Sequence, residues 1–333
     1  MTYRSSVDCI SIGQIYRQTI ATLNFKVYER ILAGPALYAA AGIKSCAENI
    51  GVISAVPINE KEELRRSLEK YNIDYSSVIF SRSTSIEEQF LGYLSPYNPP
   101  SQQPIPYFSS LRKGLPPSLL SNTFQTIPDN QGQNYFPPAL SPEYLNASAA
   151  HICAADLKYQ VKACTLLDKT AISVLTLLSD PGYMIPEEWE MVMNLMNGLT
   201  IFVTTHDQLI SLFKNRTNDF NEIGNILHAH GCAYLVTING AEGYELYDFV
   251  KKRKSQIPEY PSTIVDPTGI QEAFCGGLLA EMRHSHDPIQ AVLCGSVLAS
   301  IKAEGSGPFF PLEAAPGLID ARIQRIKDWV KNS

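Results

Sequence analysis

The chain has 333 residues, of which 45% are hydrophobic and 18% are charged, and its formal net charge is −6. This length allows one large domain or two ordinary ones, and the composition is that of a globular protein. A mildly acidic surface repels phosphate backbones and anionic lipid headgroups, which argues against nucleic acid or a membrane as a partner.

Two further features of the composition concern the cellular compartment. No apolar run reaches the roughly 20 residues of a membrane-spanning helix, and the first residues lack the apolar core of a signal peptide. The seven cysteines include no C-x-x-C pair and most lie in apolar runs, so free buried thiols fit better than disulfides or zinc ligands. We therefore expect a cytoplasmic protein.

Strand-like apolar runs and helical patterns alternate along the chain. Predicted strands are Val7–Ile12, Thr19–Val27, Ile50–Val56, His151–Ala155, Ala171–Leu178, Leu199–Thr204, Cys232–Ile238 and Tyr244–Phe249. Predicted helices are Gly34–Glu48, Asn59–Tyr71 with Asn59 as N-cap, Asp156–Asp168, Pro186–Met196, Asp207–Lys214, Asp219–His230, Glu272–Arg283, Asp287–Glu304 and Leu318–Val330. Continuously apolar strands separated by helices predict an α/β fold with a mostly parallel sheet covered on both faces.

Residues 94–146 interrupt this alternation. They hold half of the 22 prolines, together with many Ser, Asn and Gln residues. Because proline fixes φ and lacks an N–H donor, neither a long helix nor a central strand fits this segment. It is either a long surface loop or an enlarged lid or partner-binding arm. Its many aromatic residues favour a packed element over a disordered one.

The most informative motif is Val265-Asp266-Pro267-Thr268-Gly269-Ile270-Gln271-Glu272-Ala273-Phe274-Cys275-Gly276-Gly277. A glycine-containing turn enters a helix, whose unsatisfied N–H groups and dipole favour an anion. A carboxylate in the first turn, Glu272, can accept a proton from a hydroxyl group. Two adjacent glycines, Gly276 and Gly277, allow close helix packing. Two histidine pairs, His228-x-His230 and His284-x-His286, have a spacing that does not place both on one helix face, so we predict no metal site from them.

This motif resembles the C-terminal signature D-x-T-G-A-G-D of the ribokinase-like (PfkB-type) sugar and nucleoside kinases. Two other segments resemble further signatures of that family, in the family's order. Ala33–Ala40 is similar to the first, G-G-x-x-x-N-x-A, and Thr237–Gly243 to the T-x-G-x-x-G turn along the nucleotide. The helix Ala291–Glu304 with the following glycines resembles the segment that closes over the adenine.

The resemblance implies a single ribokinase-like domain over 1–333, a three-layer α/β/α fold with a small β lid from about 18–32 and 87–107, and a Pro-rich insertion at about 94–146. It implies ATP-dependent phosphoryl transfer, with Mg²⁺, to a hydroxyl group of a sugar or nucleoside. The lid is the surface expected for a homodimer, and 94–146 the surface expected for a protein partner. In a doubly wound fold the site lies beyond the carboxyl ends of the strands, near Gly34, Gly240 and Gly269.

The same resemblance assigns roles to residues. Glu272 takes the position of the catalytic base, and the anion hole falls on Gly269, Ile270 and Gln271. Nucleotide-binding positions are Thr237, Gly240, Gly243 and Thr268. Substrate-binding positions are Gln18, Gly34 and Asp266.

Several of these positions depart from the family pattern. Glu272 stands where the family has Asp, Gln271 where it has Gly, and Gln18 where it commonly has Asp. The N-x-x-E that organises the Mg²⁺ shell aligns with Thr205 and Gln208, with Asp207 adjacent as an alternative acid. A residue with a Cβ at position 271 fits poorly if the backbone requires a positive φ.

Three interpretations therefore remain open. The kinase activity survives with Glu272 as base, or the chain is a catalytically inactive binding or regulatory protein on a kinase scaffold. A third is a kinase whose pocket is reshaped for an unusual acceptor by Gln18 and the 94–146 segment.

Overall fold

The structure, a computed structural model, describes residues 6–82, 86–120, 136–137, 140–168 and 170–332. Twelve strands are described: β1 Cys9–Ile12, β2 Tyr16–Ala21, β3 Val27–Ala33, β4 Ile50–Pro57, β5 Val78–Ser81, β6 Glu88–Gly92, β7 Ala149–Ile152, β8 Val174–Leu178, β9 Ile201–Thr205, β10 Tyr234–Ile238, β11 Tyr244–Asp248 and β12 Arg253–Ile257. The α-helices of these ranges are α1 Pro35–Lys44, α2 Lys61–Lys70, α3 Pro104–Ser110, α4 Pro117–Leu120, α5 Pro142–Leu145, α6 Leu157–Leu167, α7 Trp189–Leu195, α8 His206–Leu212, α9 Phe220–Ala229, α10 Ile270–Ser285, α11 Pro288–Ala303 and α12 Leu318–Asn332.

Nine strands form the central sheet, in the order β12-β11-β10-β9-β8-β7-β1-β4-β5. The strands from β10 to β5 run parallel, and β11 and β12 add an antiparallel edge. Side chains alternate between the two faces, so Cys9 packs with one apolar core and Ile10 with the other. The cores lie under α1, α10 and α11 on one face and under α6 to α9 on the other. This confirms the predicted three-layer α/β/α fold.

A second, three-stranded sheet has the order β3-β2-β6. Its strands β2 and β3 are antiparallel, with an irregularity between Gln18 and Ile20, and β2 pairs with β6 in parallel. The single strand predicted at Thr19–Val27 is wrong in detail, because residues 22–26 form a turn between two strands. This small sheet supplies one wall of the site.

The described part of the Pro-rich segment contains short helices that begin at proline. Proline is tolerated in the first helical turn, because the N–H there has no intrahelical partner. Tyr107 and Phe108 of α3 are buried against Phe90 of β6, with 5.5 Å between the Phe90 and Tyr107 ring centres. Residues 121–135 and 138–139 of this segment lie outside the described residues.

The predicted N-cap of the second helix is wrong. A 3-10 turn occupies Ile58–Glu60, so that Asn59 precedes the helix and Glu60 becomes the N-cap residue of α2. The remaining predicted helices match within one to four residues at their ends, apart from the 3-10 turn Pro186–Glu188 that precedes α7.

Helices α1 and α10 pack closely because glycines face each other. A Cβ at Gly276 would lie 2.3 Å from Ala39 O, and a Cβ at Gly42 would lie 2.5 Å from Ala273 O. The close-packing role predicted for Gly276 therefore has a defined partner in α1. In the described part of the chain, no helix is both long enough and apolar enough to cross a bilayer.

Candidate active site

The N-terminus of α10 lies where the sequence motif predicts an anion site. Gly269 is the N-cap, and its φ of 73° is in the left-handed region that favours glycine. The same glycine lies on the Tyr38 ring, since a Cβ there would be 2.2 Å from Tyr38 Cγ. Gln271 is the second residue of the helix and is not among the residues with positive φ, so its Cβ fits the backbone. The departure at position 271 therefore leaves the helix entry intact.

Two cavities meet at this helix end. The first, of about 570 Å³, lies between the small sheet and the carboxyl ends of β7 and β8. The second, of about 860 Å³, lies between α10, the 93–100 segment and the turn after β10. Gly269 and Glu272 line both cavities. The Glu272 carboxylate is therefore the group that a molecule in either cavity would share.

A chain of hydrogen bonds runs along the first cavity from α1 to the small sheet. Tyr38 Oη donates to Gln18 Oε1 at 3.3 Å, and Gln18 Nε2 donates to Gln89 Oε1 at 3.1 Å. Gln89 Nε2 then donates to Glu87 Oε1 at 2.8 Å. Gln18 and Gln89 are directly paired across β2 and β6. These three hydrogen bonds fix which way the Gln18 and Gln89 side-chain amides point into the cavity.

Carboxylates dominate the charge of the first cavity. Glu87, Asp156, Asp180 and Glu272 line it, and its described lining includes no Lys, Arg or His. Asp156 and Asp180 each accept a hydrogen bond from a nearby backbone N–H, at 2.9 and 2.8 Å. These bonds hold the two side chains in place. The cavity is thus an anionic, hydrogen-bonding pocket.

The pKa of Glu272 is raised above its ordinary value, mainly by burial. The negative charge of Asp180 raises it further, while the hydrogen bond to its own backbone N–H and the ammonium of Lys302 lower it. A carboxylate of raised pKa holds a proton more readily, which is the property of a general base.

The positions aligned with the Mg²⁺ motif follow β9. Thr205 is the N-cap of α8, and its Oγ1 accepts the Gln208 amide at 3.2 Å. Gln208 Oε1 accepts hydrogen bonds from Ser179 Oγ at 2.6 Å and Thr204 Oγ1 at 3.1 Å, so it organises neighbouring hydroxyls. Thr205 and the exposed Asp207 line the second cavity. Among the described residues no three His, Cys, Asp or Glu side chains are grouped as metal ligands.

The predicted site residues divide into two groups. Those that line a cavity are Gln18, Gly240, Thr268, Gly269, Ile270, Gln271 and Glu272. The structure places the others behind the cavity walls: Gly34, Thr237, Gly243 and Asp266. The Ile270 amide, predicted for the anion hole, donates to Pro267 O at 3.3 Å. The fully buried Asp266 accepts hydrogen bonds from the Thr268 amide of its own turn and from Ser306 Oγ beyond α11, which assigns it to shaping the loop.

Several cavity residues were not identified from the sequence. In the first cavity these are Gln14, Tyr16, Glu87, Gln89, Asp156 and Asp180. Asp180 follows β8 directly, and a polar residue just beyond the carboxyl end of a parallel strand was the available signal. In the second cavity Tyr93, Tyr97 and the prolines of 96–100 form a wall. This gives the first part of the Pro-rich segment a place in the site.

Comparison with known proteins places the chain among kinases. The family model of pfkB family carbohydrate kinases matches residues 119–315. A cytidine kinase of Thermococcus kodakarensis is 29% identical over 140 residues, which are 41% of this chain and 49% of that protein. A nucleoside kinase of Methanocaldococcus jannaschii is 26% identical over 172 residues, 50% of this chain and 53% of that protein. The chain thus spans about half the length of these curated relatives.

Solved structures agree over nearly the whole chain. A Burkholderia thailandensis nucleoside kinase in complex with inosine has a TM-score of 0.68 at 16% identity, covering 95% of this chain and 96% of that one. A putative ribokinase II from E. coli in complex with ATP and Mg²⁺ has a TM-score of 0.67 at 14% identity, covering 96% and 99%. At these identities the likeness shows a shared ribokinase-like fold.

Proposed function

Because this chain belongs to the pfkB family of carbohydrate kinases, we propose that it transfers the γ-phosphoryl group of ATP to a hydroxyl group of an uncharged sugar or nucleoside. The observation that carries the proposal is the position of Glu272, at the junction of two cavities and in the first turn of a helix. One cavity is then the acceptor site and the other the nucleotide site.

In this reaction the Glu272 carboxylate takes the proton of the acceptor hydroxyl. The hydroxyl oxygen forms a bond to the γ-phosphorus as the bond to the β–γ bridging oxygen breaks, and ADP leaves. The Ile270 amide is bonded to Pro267 O, so the amides of Gly269 and Gln271, together with the dipole of α10, stabilise the negative charge of the transferred group. The altered positions 271 and 272 keep the helix entry and the carboxylate that this step requires.

The second cavity fits a nucleotide with its Mg²⁺. Its described lining holds no Lys or Arg, so the phosphate charge has to be balanced mainly by a bound cation. The ionisable residues of this lining are His206 and the acids Asp207, Glu242, Glu245, Glu259 and Glu272. Mg²⁺, when bound, neutralises phosphate charge, and it usually keeps several waters with one or two carboxylates. Asp207 is an exposed acid of this lining that can hold one of those waters, and Thr205 lies two residues before it. The ATP and Mg²⁺ held by the E. coli structural neighbour support the same cofactors here.

The charge of the first cavity supports an uncharged acceptor. Four carboxylates and no cationic side chain would repel a phosphate or carboxylate group on an acceptor that, unlike ATP, brings no Mg²⁺ with it. Carboxylate and amide oxygens are suited to accept hydrogen bonds from several hydroxyl groups. The cytidine and nucleoside kinases among the relatives, and the inosine-bound neighbour, support a sugar or nucleoside.

The test is ADP release from ATP–Mg²⁺ with a panel of acceptors in matched pairs. Free nucleosides, hexoses and cyclitols are compared with their phosphates and with sugar acids. We expect turnover with at least one uncharged compound and none with its phosphorylated partner. Turnover confined to anionic acceptors would contradict the proposed acceptor class. Calorimetric binding of ATP–Mg²⁺ without turnover of any acceptor would instead indicate the inactive, ligand-binding alternative.

A further inference from the structure

Lys302 is a lysine whose side chain has no exposed surface. It lies in the last turn of α11, and its Nζ donates to Gly305 O at 2.8 Å and to Asp266 O at 3.4 Å. A third oxygen, Asp266 Oδ2, is 3.5 Å away. Three acceptors match the three N–H bonds of an ammonium, whereas a neutral amine has two. Burial lowers the pKa of Lys302, while the charges of Asp266 and Glu272 raise it. Because a buried charge is costly unless it is paired and hydrogen-bonded, these three oxygens are what allow a cation to be held in a fixed place.

The partner carboxylate shapes the turn that enters the active site. Asp266 Oδ1 accepts the Thr268 amide at 2.9 Å, and Oδ2 accepts Ser306 Oγ at 2.6 Å. The Asp266 amide itself donates to Ala303 O at 3.1 Å. These bonds attach residues 266–268 to the end of α11. Lys302 is thus connected to the turn that Thr268 and Gly269 complete.

The Lys302 ammonium also faces the Tyr38 ring, on which the 266–269 turn lies. Lys302 Nζ is 5.5 Å from the centre of the Tyr38 ring, within the range of a cation–π contact. Gly269 packs directly on this ring, and Thr268 Oγ1 donates to Tyr93 Oη at 3.1 Å on the nucleotide side. The turn is therefore held between an aromatic surface and a buried cation.

We propose that Lys302 is a positioning residue, a tethered cation that holds the 266–269 turn in the shape that presents the Gly269 and Gln271 amides, at the entry of α10, to the transferred phosphate. The inference rests on the proposed kinase function. The positive charge has the sign that favours a phosphate at this helix end. It also lowers the pKa of Glu272, against the burial that raises it. Lys302 therefore influences both the 266–269 turn and the base Glu272 without contacting the substrate.

The first test replaces the cation by an uncharged side chain of similar length, Lys302→Met. We expect kcat to fall about 100-fold, the loss typical of a misplaced or missing charge-stabilising group. The acid limb of the kcat profile should move to higher pH, because the ammonium no longer lowers the pKa of Glu272. The matched control is Arg322→Met, which breaks the adjacent ion pair of Arg322 with Glu304 at 2.8 Å. The control should leave the pH profile unchanged.

The second test distinguishes a missing cation from a damaged fold. Lys302→Ala leaves a space lined by the oxygens of Asp266 and Gly305, which an exogenous ammonium can enter. We expect methylammonium or ethylammonium to restore part of kcat in a saturable way in Lys302→Ala. We expect no rescue in Lys302→Met, where the side chain fills the space. A folded Lys302→Met protein with wild-type kcat and pH profile would overturn the inference, as would an equal loss in Arg322→Met with no rescue.

A binding measurement separates this inference from the proposed function. If the wild type turns over no acceptor, the proposed function fails, but ATP–Mg²⁺ affinity by calorimetry still reports on the turn. Weaker ATP–Mg²⁺ binding in Lys302→Met, by about tenfold, then supports the positioning role. Unchanged affinity in a folded variant overturns it.

Discussion

The two cavities that share Glu272 are built in different ways. The first cavity, which we propose as the acceptor site, is made from residues on distant elements, such as Gln18 of β2, Gln89 of β6 and Asp180 after β8. The second cavity, which we propose as the nucleotide site, is lined largely by residues of turns and loops, including Gly240, Gly269 and the proline-rich wall at 96–100. The first depends on which side chains the fold brings together, and the second on how the chain turns.

This difference explains which substitutions matter in each region. A side-chain pocket changes its ligand when one amide or acid changes, while the fold persists. A pocket built from turns loses its shape when a turn acquires a Cβ. Substitutions of Glu272 at the junction, of Gln18 in the wall of the first cavity and of Gly269 at the helix entry should therefore affect different properties. They should also differ in the size of their effects.

The largest expected effect is at the junction. Glu272→Gln removes the proton acceptor and should lower kcat by about 10² to 10⁴-fold, the usual contribution of general base catalysis. ATP–Mg²⁺ affinity should remain near the wild-type value, because the backbone turns are unchanged. Turnover is measured by ADP release and affinity by calorimetry. Glu281→Gln, the same change further along α10, is the control and should retain activity.

The next largest effect tests the turn. Gly269→Ala adds a Cβ 2.2 Å from the Tyr38 ring at a residue with φ of 73°, so it should destabilise the fold by roughly 2–5 kcal/mol. Both the ATP and the acceptor sites should weaken, because they share this residue. Urea unfolding measures the loss. Gly114→Ala, with no heavy atom within 4 Å of the new Cβ, should stay within about 0.5 kcal/mol of wild type.

A smaller effect should be confined to the acceptor cavity. Gln18→Leu leaves Gln89 Oε1 and Tyr38 Oη without their hydrogen-bond partner, a loss of about 1–3 kcal/mol in kcat/KM for the acceptor. The KM for ATP should not change. A double-mutant cycle with Gln89→Leu should be non-additive, since the two amides bond each other. Additive losses would show that the amide chain does not act as a unit.

The smallest effect concerns stability and pH. Because the folded protein raises the pKa of Glu272 above its unfolded value, the folded state binds more protons in that interval, and stability falls as pH rises through it. Glu272→Gln removes this cost, so the variant should be more stable than wild type at neutral pH and equal to it well below the unfolded pKa of about 4.3. Thermal unfolding across pH measures the difference. A lower Tm than wild type at neutral pH would contradict the assignment.

Much of the fold was predictable, because its parallel strands are continuously apolar and its helices are periodic. The exceptions have local causes. The edge strand β12, with sequence RKSQI, is polar and shows no apolar alternation. The short helices α3 and α5 begin at proline, whose presence favoured a loop prediction. Pairing with β11 makes β12 a strand although its sequence is polar. Proline is tolerated in the first helical turn, so α3 and α5 form although their prolines predicted a loop.

The site was predictable where it is formed by residues that are close together in the sequence. The glycine turn at 269 and the acid of the first helical turn were identified from one motif, because both depend on neighbours in sequence. Glu87 and Asp180 come from segments nearly one hundred residues apart, and nothing local marks them as partners in one cavity. The buried ion pair of Lys302 with Asp266 could not be predicted either, since a single lysine in an apolar helix gives no indication of its partner.

The glycine contacts between α1 and α10 have a mechanical consequence. Helix α1 begins at Pro35 beside the first cavity, and α10 begins at Ile270, directly after the Gly269 turn that lines both cavities. With backbone atoms in direct apposition at Gly42 and Gly276, the two helices cannot slide past each other without breaking their tightest contact. The two helices should therefore move as one body, which would keep the distance between Pro35 and the Gly269 turn constant. We therefore expect any closure over the first cavity to come from movement of the small sheet toward these two helices.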